Sequence, residues 1–118
     1  MICGQRALIN SAASAISEKV MTDHASISML EKAIEAKFVK ECKKHGAMCL
    51  KQNVVGRRGY PDRLVLTKNG EYIWVELKTD KGVLSEAQKN AIEELRKHKA
   101  VVHITYGYIE AMAILDLL

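Results

Sequence analysis

The chain has 118 residues, the size of one ordinary domain, and its formal net charge is +4. That mild positive charge permits nucleic-acid binding without requiring it. No apolar run reaches the about 18 residues of a membrane span, and none forms the core of a signal peptide. The three cysteines are odd in number and irregularly spaced, which argues against a disulfide framework. We therefore expect a cytoplasmic protein.

An N-terminal extension, residues 1–28, shows only a weak helical pattern over residues 6–21, and its role is unknown. A stronger amphipathic helix is predicted over residues 29–45. Apolar side chains recur at every fourth position of this helix: Leu30, Ile34, Phe38 and Cys42. Ser28 and Glu31 have the spacing of a capping box and predict that the helix begins beside Ser28.

Four strands and two helices are predicted after it. In chain order these are a strand at "AMCLKQNVV", a hairpin of "DRLVLT" and "EYIWVELK" joined at "KNG", a helix at "SEAQKNAIEELRKHK", a strand at "AVVHITYG" and a helix at "YIEAMAILDLL". The hairpin is nearly continuously apolar, so both of its faces need cover. We therefore predict one α/β domain over residues 29–118, a small mixed β-sheet flanked by helices in the order α-β-β-β-α-β-α.

Three charged residues interrupt the apolar hairpin: Asp62, Glu76 and Lys78. Ionised side chains are costly to bury unless they are paired or bind a metal. Glu76 and Lys78 share a face because side chains alternate along a strand. A two-residue turn over 69–70 would put Asp62 on the other face. A three-residue turn over 68–70, with its glycine left-handed, would put Asp62 opposite Glu76. If the charges form a site, we predict the three-residue turn.

From the residues alone, two interpretations of these charges stay open. Two carboxylates that converge beside an ammonium would suit Mg²⁺ or Mn²⁺, which bind few carboxylates together with phosphate oxygens and water. Alternatively, Lys78 forms an ordinary ion pair with Glu76 or Asp62 at a sheet edge, which contributes little stability.

The order of the motifs resembles a known nuclease superfamily, PD-(D/E)XK. "YPD", "VELK" and "GVLSEAQ" follow its layout, and the segment from about Leu30 to Ile104 is similar to the VRR-NUC family, the virus-type replication-repair nuclease domain. This resemblance implies a restriction-endonuclease-like core and a nuclease that depends on magnesium or manganese. It also implies similarity to small phage and prophage members, which resemble archaeal-type Holliday junction resolvases and act as homodimers on branched DNA.

The resemblance further implies a role for each residue that matches a motif position. Asp62 and Glu76 would be metal ligands, and Lys78 would be the catalytic lysine. Gln88 would be the motif glutamine at the start of the second helix. Glu35 would be the glutamate of the first helix and would bind the metal directly or through water.

Two of these residues also have ordinary explanations. Glu35 lies at the edge of the apolar stripe, where a solvated helix face is the default. Glu31 competes with Glu35 for the same role, but the predicted capping box already explains Glu31. Gln88 follows Ser85 at the spacing of a second capping box, and capping is compatible with a role in the site.

Basic residues near Asp62 indicate contact with a phosphate backbone. Arg57 and Arg58 stand between glycines in the loop "GRRGYP", where a phosphate can approach closely. Lys51, on the preceding strand, matches a basic position of the family. The alternative is a flexible basic loop that serves solubility. No recognition helix or aromatic platform is evident, so we expect recognition of DNA shape rather than of base sequence.

The terminal helix "YIEAMAILDLL" is almost wholly apolar. Such a helix must be covered by its own core or by a second copy of the chain. Because a branched substrate is itself two-fold related, we favour a C2 homodimer.

Together these observations predict a metal-dependent DNA endonuclease that acts on branched DNA, with Holliday junction resolution as the first choice. Another structure-specific or nicking nuclease is the second choice. A non-catalytic nucleic-acid-binding module of the same fold and a structural partner-binding protein are the alternatives from other classes. If phage-encoded, the protein would work in the cytoplasm of a bacterial host.

Overall fold

The computed structural model describes residues 26–118. This part of the chain folds into a mixed four-stranded β-sheet with helices on both faces. Its elements are α1 (Ser26–Lys44), β1 (Met48–Lys51), β2 (Arg63–Leu66), β3 (Tyr72–Lys78), α2 (Glu86–Lys97), β4 (Val101–Tyr106), α3 (Gly107–Ala113) and a 3-10 helix (Ile114–Leu117). This order confirms the predicted fold class. The weak helix predicted over residues 6–21 lies outside the described residues.

The strands are arranged in the order β1-β2-β3-β4. β1 pairs with β2 and β2 pairs with β3 in antiparallel fashion, whereas β3 and β4 are parallel and are connected through α2. β3 is therefore an interior strand with a neighbour on each side.

Alternation along β3 separates the core from the charged face. Ile73 and Val75 belong to the buried cluster built with α1 and α3, and Leu77 packs against that cluster. The intervening residues, Glu76 among them, point to the opposite face, where α2 lies. The strand thus has an apolar face towards α1 and a charged end towards α2.

The first helix begins earlier than predicted. Ser28 is helical and lies inside α1, so it is not the N-cap and the predicted capping box with Glu31 is wrong. Serine is only mildly unfavourable inside a helix, and for that reason the S-x-x-E pattern alone does not fix a helix start. α1 also runs across the predicted domain boundary between residues 28 and 29.

The terminal helix is covered by its own chain. Ala111, Ile114 and Leu115 are buried in the same cluster as the α1 stripe. The apolar character of this helix therefore does not require a second copy of the chain. Within the described residues, none of the helices is both long and apolar enough to cross a membrane.

The hairpin between β2 and β3 has the three-residue turn. Thr67 N donates to Glu71 O at 2.9 Å, and Gly70 has a φ of 84°. Arg63 pairs with Val75 in the resulting register. One further step places Asp62 opposite Glu76, so the predicted register is confirmed.

Candidate active site

The carboxylate of Glu76 lies at the centre of the candidate site and is almost wholly buried. Its residue is 5 % exposed, on the interior strand β3. The ammonium Nζ of Lys78, two residues on and on the same face, lies 3.8 Å from Oε2 of Glu76. The side-chain amide Nε2 of Gln88 lies 3.5 Å from the same oxygen. The structure therefore brings together three of the residues that the motifs indicated.

The electrostatic environment of Glu76 disfavours its ionised form. The pKa of Glu76 is raised to about 7: burial is the main cause, the ammonium of Lys78 opposes it, and the nearby carboxylates of Asp62 and Glu31 contribute to the rise. A buried carboxylate that a single ammonium does not fully compensate is a position where a cation would be stabilised.

The start of α2 positions Gln88. Ser85 is the N-cap: its hydroxyl accepts from Gln88 N at 3.1 Å, and Gln88 Oε1 accepts from Ser85 N at 2.9 Å. This reciprocal pair confirms the second predicted capping box. Because Oε1 is engaged at the cap, Nε2 remains directed to Glu76, and one side chain serves both purposes.

Asp62 is exposed and is positioned by the loop that precedes it. Gln52 N donates to Asp62 O at 2.6 Å, which continues the β1–β2 pairing by one step. Pro61 is fully buried, and Gly59 lies so close to the first turn of α2 that a Cβ there would clash with the backbone of Ala87. These contacts at the two ends of the loop thus fix the backbone position of Asp62.

The two glutamates of α1 have different surroundings. Glu35 forms an ion pair with the largely buried guanidinium of Arg63. Glu31 instead lies near enough to Glu76 to raise the pKa of that carboxyl. Glu31 is thus a residue that sequence reasoning set aside, because the predicted capping box had already given it an explanation. Its position one helical turn before Glu35 was the available signal.

The basic residues also differ from one another. Arg57 Nη1 donates to the Tyr60 hydroxyl at 2.7 Å and to Glu94 Oε1 at 2.8 Å. Arg58 is exposed and has no hydrogen bond or ion pair to any described residue. Lys51 is exposed at the end of β1, opposite Arg63. The partner of Arg57, Glu94, left no signal in the sequence because it lies in a different element.

The donor set fits a hard divalent cation held partly by its substrate. Asp62 and Glu76 offer carboxylate oxygens, which magnesium and manganese prefer. Among residues 30–118, no group of three or more His, Cys, Asp or Glu side chains is arranged to hold a metal ion. A site with two carboxylates leaves the remaining coordination positions to phosphate oxygens and water, as in many magnesium sites that act on phosphates.

Comparisons with known proteins identify the family to which the chain is similar. The family model described as "VRR-NUC domain" matches residues 8–108. A protein named "Putative nuclease p44", from Acyrthosiphon pisum secondary endosymbiont phage 1, is 40% identical over 68 residues, which are 58% of this chain and 67% of that protein.

Two solved structures share the fold. One described as "VRR_NUC domain" has a TM-score of 0.68 at 23% identity and covers 73% of this chain and 94% of its own. Another described as "VRR_NUC domain protein" has a TM-score of 0.61 at 15% identity, with coverage of 75% and 86%.

Proposed function

The chain belongs to the VRR-NUC family of nuclease domains, and from that premise we propose that it is a metal-dependent endonuclease that hydrolyses phosphodiesters in branched DNA. The observation that carries the proposal is the buried carboxylate of Glu76. It lies between Lys78 and Gln88 and opposite Asp62, in an arrangement that contributes little to stability unless a cation binds there.

Asp62 and Glu76 would hold a magnesium or manganese ion. When bound, such an ion polarises the phosphate and lowers the pKa of a coordinated water. Glu76 supplies a rigid, buried ligand from the interior strand, and Asp62 supplies an exposed ligand from a loop. That difference in exposure leaves the Asp62 side of the site open to a substrate phosphate.

Lys78 and Gln88 would assist the two metal ligands, Asp62 and Glu76. The Lys78 side chain is 17% exposed and lies on the Glu76 face, so its ammonium can donate to the attacking water or to a phosphate oxygen as charge develops. Gln88 holds the orientation of the Glu76 carboxylate from the capped end of α2. A carboxylate of α1 would complete the site, and either Glu31 or Glu35 would supply it.

Arg58 and Lys51 would contact the phosphate backbone of the DNA. Both are exposed; Lys51 directly precedes the loop that leads to Asp62, and Arg58 lies within that loop. Contacts of this kind position a duplex without reading its bases, and the affinity they confer falls steeply with salt.

Holliday junction resolution by a C2 homodimer is our first choice of substrate and assembly. It is supported by the two-fold relation of the strands to be cut. A nuclease that nicks or trims branched DNA as a monomer is the second candidate. The observation that favours it is the terminal helix, which the chain's own core covers.

A gel assay tests the proposal on a labelled four-way junction, a flapped duplex, a linear duplex and a single strand, with magnesium, manganese or EDTA. We expect metal-dependent paired cuts near the junction centre from the wild type. We expect none from Asp62→Ala and normal cutting from Asp116→Ala, which alters an exposed carboxylate of the 3-10 helix. Preferential cutting of the flap would favour the second candidate. Intact binding without cleavage under either metal would contradict both.

A further inference from the structure

Three side chains connect the loop before Asp62 to the last turns of α2. Glu94 Oε1 accepts from Arg57 Nη1 at 2.8 Å and from the Tyr60 hydroxyl at 3.0 Å, and Arg57 also donates to Tyr60 at 2.7 Å. Each member contacts the other two, so the cluster is closed. We call it the Glu94 bracket, and we call residues 52–62 the Asp62 loop.

The Glu94 bracket also contacts β3, the strand that carries Glu76. The Tyr60 ring contacts Trp74 of β3 with the centroids 6.3 Å apart, and the Arg57 guanidinium lies 5.9 Å from the centroid of the Tyr60 ring. Trp74 is on the same face of β3 as Glu76, because the two residues are two positions apart. One side of the bracket therefore rests on the strand that carries the buried carboxylate.

The chain has little freedom on either side of Tyr60. Gly59 lies against the backbone of Ala87, and a Cβ at Gly59 would be only 2.7 Å from Gln88 N. Pro61 is fully buried and fixes its own φ. A displacement of Tyr60 is therefore transmitted to Asp62 rather than absorbed between them.

We propose that Glu94 is a positioning residue for the nuclease site: through Arg57 and Tyr60 it holds the Asp62 loop on α2 and so keeps Asp62 beside Glu76. This inference rests on the proposed function for its catalytic consequence, but not for its structural content.

The same contacts give the two arginines of the Asp62 loop different roles. Arg57 is engaged by Glu94, so its guanidinium holds the loop in place and is not available to a phosphate without breaking the bracket. The hydrogen bonds from Tyr60 and Arg57 lower the pKa of Glu94, so they favour the ionised carboxylate that accepts them. The neighbouring Arg58 is left for the DNA.

The control for Glu94 is its neighbour Glu93. Both are exposed glutamates of α2, but the ion pair of Glu93 is with Lys97 at 3.4 Å, within the helix and away from the loop. Since exposed ion pairs contribute little to global stability, neither change is expected to unfold the protein. An effect that occurs in the Glu94 variant but not in the Glu93 variant therefore reports a change in the Asp62 loop.

The direct test is amide hydrogen exchange of the full-length, metal-free chain, followed by NMR. The Gln52 amide is the probe, because its hydrogen bond is accepted by Asp62 O. We expect Glu94→Ala to speed exchange at Gln52 at least tenfold and Glu93→Ala to leave it within twofold. Glu94→Gln keeps an oxygen acceptor and should restore most of the protection. Equal exchange in the two alanine variants would overturn the inference.

A second readout connects the loop to the site. Manganese affinity, measured by calorimetry, should fall at least fivefold in Glu94→Ala and stay unchanged in Glu93→Ala. DNA affinity in EDTA should not fall in Glu94→Ala, because that change releases the Arg57 guanidinium. The double variant Arg57→Ala/Glu94→Ala should lose no more manganese affinity than either single variant. Faster exchange at Gln52 with unchanged manganese affinity would contradict the connection to Asp62. If the wild type binds no metal and cuts no DNA, the proposed function fails, while the exchange result still decides whether Glu94 holds the loop.

Discussion

The side-chain amide of Gln88 joins the capped start of α2 to the buried carboxylate of Glu76. Its Nε2 lies 3.5 Å from Glu76 Oε2, and its Oε1 accepts from Ser85 N at 2.9 Å. A single residue therefore both satisfies the free backbone at a helix start and orients a candidate metal ligand.

Two substitutions separate these roles of Gln88. Gln88→Glu preserves the capping box, since glutamate also serves at this position, but it sets another carboxylate against Glu76. We expect near-normal thermal stability and a loss of cleavage of tenfold or more. Gln88→Ala should lose about 1 kcal/mol of stability through the cap as well as activity. Thermal unfolding and a cleavage assay measure both, and equal activity of Gln88→Glu and wild type would show that the amide contact is not used.

The stability of the metal-free protein should depend on the protonation of Glu76. Burial raises the pKa of Glu76 from an ordinary value of 4.5 to about 7, so the folded state binds the proton more tightly than the unfolded state. That contribution to stability is fully present below about pH 4.5 and is lost as the pH rises through about 7. Thermal unfolding between pH 4 and 8 should show this decline in wild type but not in Glu76→Gln. Parallel curves for the two proteins would contradict the shifted pKa.

The two glutamates of α1 should respond differently to neutralisation. Glu35→Gln leaves the Arg63 guanidinium, 14% exposed, without its ion-pair partner, so we expect a loss of about 1–3 kcal/mol of stability. Glu31→Gln removes an exposed charge near Glu76 and should cost little stability while it weakens metal-dependent cleavage. Denaturant unfolding and cleavage rates distinguish the two. A stable but inactive Glu35→Gln with an active Glu31→Gln would restore the role that the family resemblance gave to Glu35.

The two arginines of the Asp62 loop should differ in their effect on DNA binding. Arg58→Ala should weaken binding of a four-way junction in EDTA and reduce the salt dependence, the slope of log K against log salt, by about 1. Arg57→Ala should change that slope less, because Glu94 already engages its charge. Lys68→Ala, in the exposed turn at the other end of the hairpin, is the control. Equal slopes for the two arginine variants would mean that Arg57 leaves Glu94 to bind the phosphate.

Local patterns predicted the elements and much of the geometry. The four-residue apolar stripe identified α1, and the Ser85–Gln88 spacing identified the start of α2. The sequence allowed a two-residue or a three-residue turn ending at Gly70, and the assumption that the charges form a site selected the three-residue turn that the structure has. Side-chain alternation then gave the residue that faces Glu76. These inferences succeeded because each depends on neighbours in the chain.

Contacts between distant segments could not be inferred in the same way. The pairs Arg63–Glu35 and Arg57–Glu94 depend on how α1 and α2 pack, and an exposed glutamate on a helix carries no periodic sign of its partner. The start of α1 was misplaced for a related reason. A capping signature is common in sequences, and the packing of the surrounding chain decides whether a helix begins at one.

The length of the turn over residues 68–70 limits how this protein can change through insertion and deletion. The turn is exposed and lies at the opposite end of the hairpin from Asp62, a kind of position where an added or lost residue is usually tolerated. Here one residue more or fewer would slip the register and turn Asp62 away from Glu76. Substitutions at Lys68 and Asn69 should therefore be tolerated, whereas Gly70 must keep its left-handed backbone and the length of the turn is constrained by a site that the turn does not touch.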